Sequence, residues 1–188
     1  MNTAADLKNQ FLVAMPNMGD PNFDHTVTLI CQQNNEMGAF GVTINRPIGL
    51  TLGDLFSQLN IKIKDTSLIN MPALVGGPVQ PEQGFVLHDT QKSWESTLAI
   101  TDNLAITSSR DILLDIAQGD GPEHFLLALG CAGWSPGQLE TELQGNTWLT
   151  CPADNKIIFD LPYDKRWKKA AESLGFDINL LSDSVGHA

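Results

Sequence analysis

The sequence predicts an α+β fold in which short strands pair with near neighbours and about four helices cover them. Three observations carry this. Alternating apolar stretches come in pairs joined by polar turns, as at residues 25–33 with 39–45 and 98–101 with 104–107. Apolar stripes at helical spacing recur at separated places along the chain. Strands and helices do not alternate regularly, as a βαβ chain would. No repeat, low-complexity stretch or linker marks a boundary, so residues 1–188 are expected to form one domain.

In chain order, residues 11–15 form an apolar strand ended by Pro16. Residues 25–33 and 39–45 make an antiparallel hairpin around the polar turn 34–38, with Gly38 and Gly41 suggesting a bend. A helix begins at Thr51, with Leu52, Leu55, Phe56 and Leu59 on one stripe, Thr51 as cap and Asp54 in the first turn. After a polar linker come two further largely apolar segments, residues 73–79, which contain Gly76-Gly77-Pro78, and residues 84–88. The pair 98–101 and 104–107 turns at Asp102-Asn103. A second helix spans residues 109–118, with Ile112, Leu113, Ile116 and Ala117 inward, and stops at Gly119. Residues 125–129 are continuously apolar, the pattern of a strand buried on both faces. Ser135-Pro136-Gly137-Gln138 reads as a capping box opening a third helix that ends at Gly145. Strands at 147–151 and 156–160 are expected, then a last helix over 163–174 with Tyr163, Trp167, Ala170, Ala171 and Leu174 inward and Gly175 at its C′ position.

At 188 residues with 42% hydrophobic and 18% charged residues, the chain is of ordinary globular composition and needs no staples. Its net charge of −11 opposes direct nucleic-acid binding, which relies on lysines and arginines displacing counterions. Lys165, Arg166, Lys168 and Lys169 form the one basic cluster, read as the solvated outer face of the last helix. Cys31, Cys131 and Cys151 are odd in number and lack metal-ligand spacing, which suggests reduced thiols and a cytoplasmic protein. No run of 18 apolar residues and no leader-like N-terminus occurs, so no membrane role is expected.

Several blocks, in order along the chain, resemble one family. They are Gly41-Val42-Thr43-Ile44-Asn45-Arg46-Pro47; Gly76-Gly77-Pro78-Val79 followed by residues 84–88; Ser109-Arg110-Asp111; residues 130–134 with 137–140; and the tail Gly186-His187-Ala188. Together they identify the chain as similar to the AlgH/YqgE family over essentially its whole length. The resemblance implies a strongly bent, partly barrel-like, mostly antiparallel sheet surrounded by helices, in a cytosolic bacterial protein with a transcription-related regulatory label and no settled biochemical activity. One departure is Cys131, where the family pattern leads one to expect a tyrosine.

The candidate ligand-binding residues inherited from these blocks are Asn45, Arg46, Gly76, Gly77, Pro78, His88, Ser109, Arg110, Trp134 and Gln138. The turn before the third helix can offer free N–H groups to an anion, or simply cap itself. Gly76-Gly77-Pro78 permits a close backbone approach but has neither GxGxxG nor GK[ST], so it is not a nucleotide loop of those kinds. Arg110 can clamp a carboxylate or form an internal salt bridge. Cys131 lies in GCAG rather than a nucleophile-elbow pattern. His25, His88, His124 and His187 show no HxH or HExxH spacing, so no metal or other cofactor is expected, and only tertiary assembly can build a metal site.

Three readings remain. The first is a regulatory protein acting without catalysis through a protein or small anionic partner. The second is an enzyme or nucleotide-handling protein using a cleft between the glycine-rich turns. The third is a direct DNA-binding regulator using the last helix, disfavoured by the acidic charge. Oligomeric state and ligand are not legible in these residues.

Overall fold

A computed structural model describes residues 6–90 and 92–175. Its centre is β9 (Phe125–Trp134), a ten-residue strand along which nearly everything else is arranged. Leu126 and Ala128 face one apolar cluster while Leu127, between them, faces another, so the strand is buried on both sides as its unbroken hydrophobicity requires. Along one edge β9 pairs antiparallel with β6 (Val79–His88), a single bulged strand running through the stretch expected as two segments. Along the other edge it pairs parallel with β5 (Pro72–Val75) through Ala128 and Leu129, then antiparallel with β3 (Gly38–Thr43) through residues 132–134.

That change of partner explains the glycines. Gly76, Gly77 and Gly130 meet where β5 leaves β9, and Gly130 has φ +77°. A Cβ on Gly130 would lie 2.4 Å from the Gly77 carbonyl oxygen, and one on Gly76 would lie 2.1 Å from the Gly130 carbonyl oxygen. Only backbones without side chains can pass this closely. The strand expected over residues 125–129 therefore continues through residues 130–134 as the second half of β9.

The rest follows locally. β2 (Val27–Asn34) and β3 are the anticipated hairpin, with a bulge between Ile30 and Gln32. β1 (Gln10–Ala14) pairs with β2 and with β10 (Trp148–Pro152), and β7 (Thr97–Thr101) with β8 (Leu104–Thr107) is the second hairpin. A short β4 (Pro47–Thr51), unforeseen in sequence, pairs with β5. The ten strands form one open sheet whose main path runs from β10 to β7, and these end strands are not bonded to each other. Among the described residues all pairings are antiparallel except β5 with β9, the arrangement expected of an α+β protein.

Five α-helices are present among the described residues, one more than anticipated. α1 (Leu52–Gln58) starts on the predicted Thr51 cap, completed as a reciprocal box by the Asp54 carboxylate accepting from the Thr51 N–H at 3.0 Å. α2 (Arg110–Gln118) ends at Gly119 with φ +88°. α1 and α2 cover one side of β6 and β9, burying Leu52, Phe56, Ile112 and Ile116 against Val86 and Leu127. α3 (Gln138–Gln144) starts two residues later than the capping-box reading placed it. Gly137, not Ser135, is its N-cap, because Ser135 and Pro136 are used in a turn closed by the Gln138 N–H on the Ser135 carbonyl at 2.9 Å. Half of the expected box survives: Gln138 Oε1 accepts from the Ser135 N–H at 3.0 Å.

Residues 156–160, expected as a strand, are mostly α4 (Asn155–Phe159). Asp154 caps it, and adjacent Ile157 and Ile158 are both buried. A short apolar run does not by itself distinguish the two periods, and here the cap decides it. α5 (Tyr163–Glu172) packs on β1, β2 and β10. No helix among the described residues is long and apolar enough to cross a membrane.

Candidate functional site

The inherited candidates sort into groups once their hydrogen bonds are traced. Asn45 Oδ1 accepts from the Val27 N–H at 2.9 Å, and its amide donates to the His25 carbonyl at 2.9 Å. Arg46 donates to the carbonyls of Pro21, Asn22 and Asp24 at 2.9, 2.7 and 2.7 Å. This pair pins the loop before β2 onto the end of β3. Gly76 and Gly77 face backbone of β9, as described, and Pro78 leads directly into β6.

Trp134 and Gln138 converge on the carboxylate of Glu142. Glu142 Oε2 accepts from the indole N–H groups of Trp134 at 2.8 Å and Trp148 at 3.0 Å, while Oε1 accepts from Gln138 at 3.2 Å. Phe23 packs edge-on to Trp148 with ring centres 5.3 Å apart. The result is a buried aromatic knot that fastens α3 to β9 and β10.

His88 is fully buried at the end of β6. A carbonyl can only accept, so its Nδ1–H donates to Asp89, leaving Nε2 to accept from the Thr107 hydroxyl at 2.8 Å. Thr97 then donates to Thr107 at 2.7 Å and accepts from the Trp94 N–H at 2.8 Å. Every member of this chain is satisfied with the imidazole neutral, and burial holds its pKa below the ordinary value.

Ser109 and Arg110 stand apart because they open onto a cleft of about 500 Å³. α1, α2 and the face of β6 and β9 enclose it. Its floor is apolar, formed by Phe56, Val86, Leu113, Leu127 and Leu129, and its rim carries Gln58, Glu82, Gln83, Ser108, Ser109 and Arg110. One Arg110 Nη donates to the Leu59 carbonyl at 3.1 Å, bridging the C-terminal end of α1 to the start of α2. Among the described residues, the salt bridge expected as the alternative for Arg110 does not form. Ser109 is the N-cap of α2 by position, but its hydroxyl donates to Asp111 and accepts from the Ser96 N–H at 3.0 Å. Gln83 donates to the Ser108 carbonyl at 3.1 Å, tying the exposed stretch of β6 to the segment entering α2. Glu82 and Gln83 were missed in sequence. They precede the family-like block at residues 84–88, and nothing in their spacing indicates that a bulge carries them to the cleft.

The sequence-level cleft between the glycine turn at 76–78 and the block at 133–140 is not what encloses this space, since neither block lines it. A smaller recess of about 200 Å³ lies beside Gln33, Gly38, Ser135 and Gly137, and Gln33 already bonds Glu140 across it at 2.7 Å.

Asp89, Glu123 and His124 bring three possible metal-ligating atoms within 4.8 Å of one another, through tertiary assembly across the paired ends of β6 and β9. Asp89 Oδ2 accepts from the His124 backbone N–H at 3.2 Å, and Oδ1 is buried without a hydrogen-bond partner among the described residues. Glu123 and His124 are exposed. The three thiols are buried and unpaired, and burial raises the pKa of each, so Cys131 is an inert core group and no activated nucleophile.

The basic cluster needs one correction. Arg166 is 4% exposed and points inward, donating to the carbonyls of Ile44 and Leu161, while Lys165, Lys168 and Lys169 remain outside. Desolvation lowers its pKa to about 10, which still leaves it charged at neutral pH.

Comparison with known proteins now fixes the lineage. The AlgH-like family model matches residues 11–179. The chain belongs to the AlgH-like family. A UPF0301 protein of Methylococcus capsulatus is 50% identical over 188 residues, covering all of both chains. Another from Xanthomonas campestris is 50% identical over 182 residues, covering 97% of this chain and 96% of its own. The solution structure of AlgH from Pseudomonas aeruginosa is similar with a TM-score of 0.80 at 46% identity, covering 100% of this chain and 99% of that one. A crystal structure from Corynebacterium diphtheriae shares the fold alone, at a TM-score of 0.73 and 20% identity.

Proposed function

We propose that this AlgH-like protein is a non-catalytic regulatory protein of the cytoplasm that responds to a small molecule held in the cleft between α1, α2 and the sheet. The observation that carries the reading is the cleft itself. About 500 Å³ of space with an apolar floor and a few polar groups at the rim is the form of a small-molecule site. Among the described residues, Glu82 and Arg110 are the only titratable side chains lining it, and no histidine, cysteine or lysine stands beside the rim hydroxyls of Ser108 and Ser109 to activate them. Its walls belong to two short helices bridged by Arg110, elements whose relative position an occupant can bias. The net charge of −11 and the inward turn of Arg166 weigh against direct DNA binding.

The test is thermal unfolding against a broad panel of metabolites, with Arg110→Ala beside the parent. A ligand at one hundred times its dissociation constant stabilises the native state by about 2.7 kcal/mol. For a chain of this size that raises the Tm by about 5–10 °C. A saturable shift reduced in Arg110→Ala supports the reading. A panel with no shift, together with capture of a protein partner indifferent to the cleft variant, overturns it.

A further inference from the structure

The rim of the cleft carries one positive and one negative side chain that do not neutralise each other. Glu82 and Arg110 both line the cleft, yet they do not form an ion pair, and neither is paired with another charged group among the described residues. The segments that carry them are nonetheless tied together. Gln83, next to Glu82, donates its amide to the carbonyl of Ser108, two residues before Arg110, so both charges belong to one stretch of rim. Below them lies a floor of Phe56, Leu113, Leu127 and Leu129.

Ligands of different charge fare differently against this pattern. An anion gains from Arg110 and is opposed by Glu82, as well as by a protein of net charge −11. A cation meets the reverse. An uncharged apolar molecule fills the floor but leaves both rim charges partly desolvated with nothing returned. A molecule with an apolar body and both charges at one end satisfies all three features at once. Resting on the cleft reading above, we infer that the site takes a small apolar zwitterion, of which an α-amino acid with a large hydrophobic side chain is the simplest. Its side chain occupies the floor, its carboxylate meets Arg110 and its ammonium group meets Glu82.

A matched series tests this by calorimetry or amide chemical-shift titration of the full chain. The probes are L-phenylalanine, 3-phenylpropanoate, which lacks the ammonium group, and 2-phenylethylamine, which lacks the carboxylate. The expected result is saturable binding of phenylalanine and affinity at least about tenfold weaker for each analogue, the usual cost of one lost charged hydrogen bond. Glu82→Gln, a substitution on an exposed strand segment, is expected to weaken phenylalanine by about tenfold and leave 3-phenylpropanoate no weaker. Arg110→Gln is expected to weaken phenylalanine and 3-phenylpropanoate and leave the amine unaffected. Binding of 3-phenylpropanoate as tight as that of phenylalanine, with no effect of Glu82→Gln, overturns the zwitterion and leaves the cleft reading standing. Failure of all three probes, with shifts from the broad metabolite panel that Arg110→Ala abolishes, likewise overturns only the ligand class. Failure of all three probes and of the panel overturns both.

Discussion

Replacing Arg166 by methionine tests whether α5 is an internal strut or a basic surface. The guanidinium is 4% exposed, and its Nε donates to the Leu161 carbonyl at 3.0 Å while an Nη donates to the Ile44 carbonyl. It also lies 4.5 Å from the centre of the Tyr163 ring. Methionine retains much of the apolar stem but strands two carbonyls, each costing about 1–3 kcal/mol when left unpaired. Relief from burying a charge offsets part of this. The net loss is about 3 kcal/mol, which lowers the Tm of a chain this long by about 6–12 °C. The control removes the charges that do face water: Lys165→Ala, Lys168→Ala and Lys169→Ala are each expected within about 0.5 kcal/mol of the parent. Circular dichroism melts of the four variants decide the matter. An Arg166→Met protein melting within about 2 °C of the parent would refute the strut.

Glu142→Ala removes the acceptor shared by Trp134, Trp148 and Gln138 and is expected to cost about 2–4 kcal/mol, read as an earlier midpoint in tryptophan-detected urea unfolding. Glu142→Gln keeps an acceptor oxygen and should lose less. Gly130→Ala and Gly49→Ala both place a Cβ at positive φ, but only Gly130 has backbone 2.4 Å from it. Gly49→Ala is therefore expected to cost about 1–2 kcal/mol, and Gly130→Ala clearly more or no soluble protein at all. His88 has a folded pKa depressed by burial, so its contribution is fully present above the ordinary value of about 6.5 and is lost as pH falls towards the folded pKa, because the unfolded chain takes the proton first. Denaturation midpoints between pH 7.5 and 5 should decline, and His88→Gln should flatten that slope.

Much of the fold was legible because its signals are local. Thr51 with Asp54, Gly119 after an amphipathic stripe, and the hairpins at β2–β3 and β7–β8 are each specified within about ten residues. Apart from residues 155–159, what failed depended on partners distant in sequence. The strand expected to stop at Leu129 runs on to Trp134 because β3 lies beside residues 132–134. Residues 155–159 are helical because Asp154 caps them and the core accepts adjacent isoleucines. Arg166 was read as exposed because three lysines surround it in sequence, yet the carbonyl it serves, on Ile44, is 122 residues away. The cleft was half legible: Ser109 and Arg110 came from a family-like block, whereas Glu82, Gln83 and the floor were assembled by a bulge and two helices.

The family-like blocks owe their character mainly to construction, and this bears on where function is to be sought. Asn45 and Arg46 spend their polar atoms on backbone of the loop they hold. Gly76 and Gly77 make room for β9, Trp134 and Gln138 serve Glu142, and His88 closes a chain of hydroxyls. A group whose hydrogen-bonding capacity is already met gains little by turning to a ligand, because each new bond replaces an old one. Arg110 is different: one donor goes to Leu59, and the guanidinium remains at the rim of an apolar space also lined by Glu82, which has no ion-pair partner among the described residues. Function in this protein is therefore to be sought in the capacity left over, which concentrates at the cleft rim and not at the most recognisable motif.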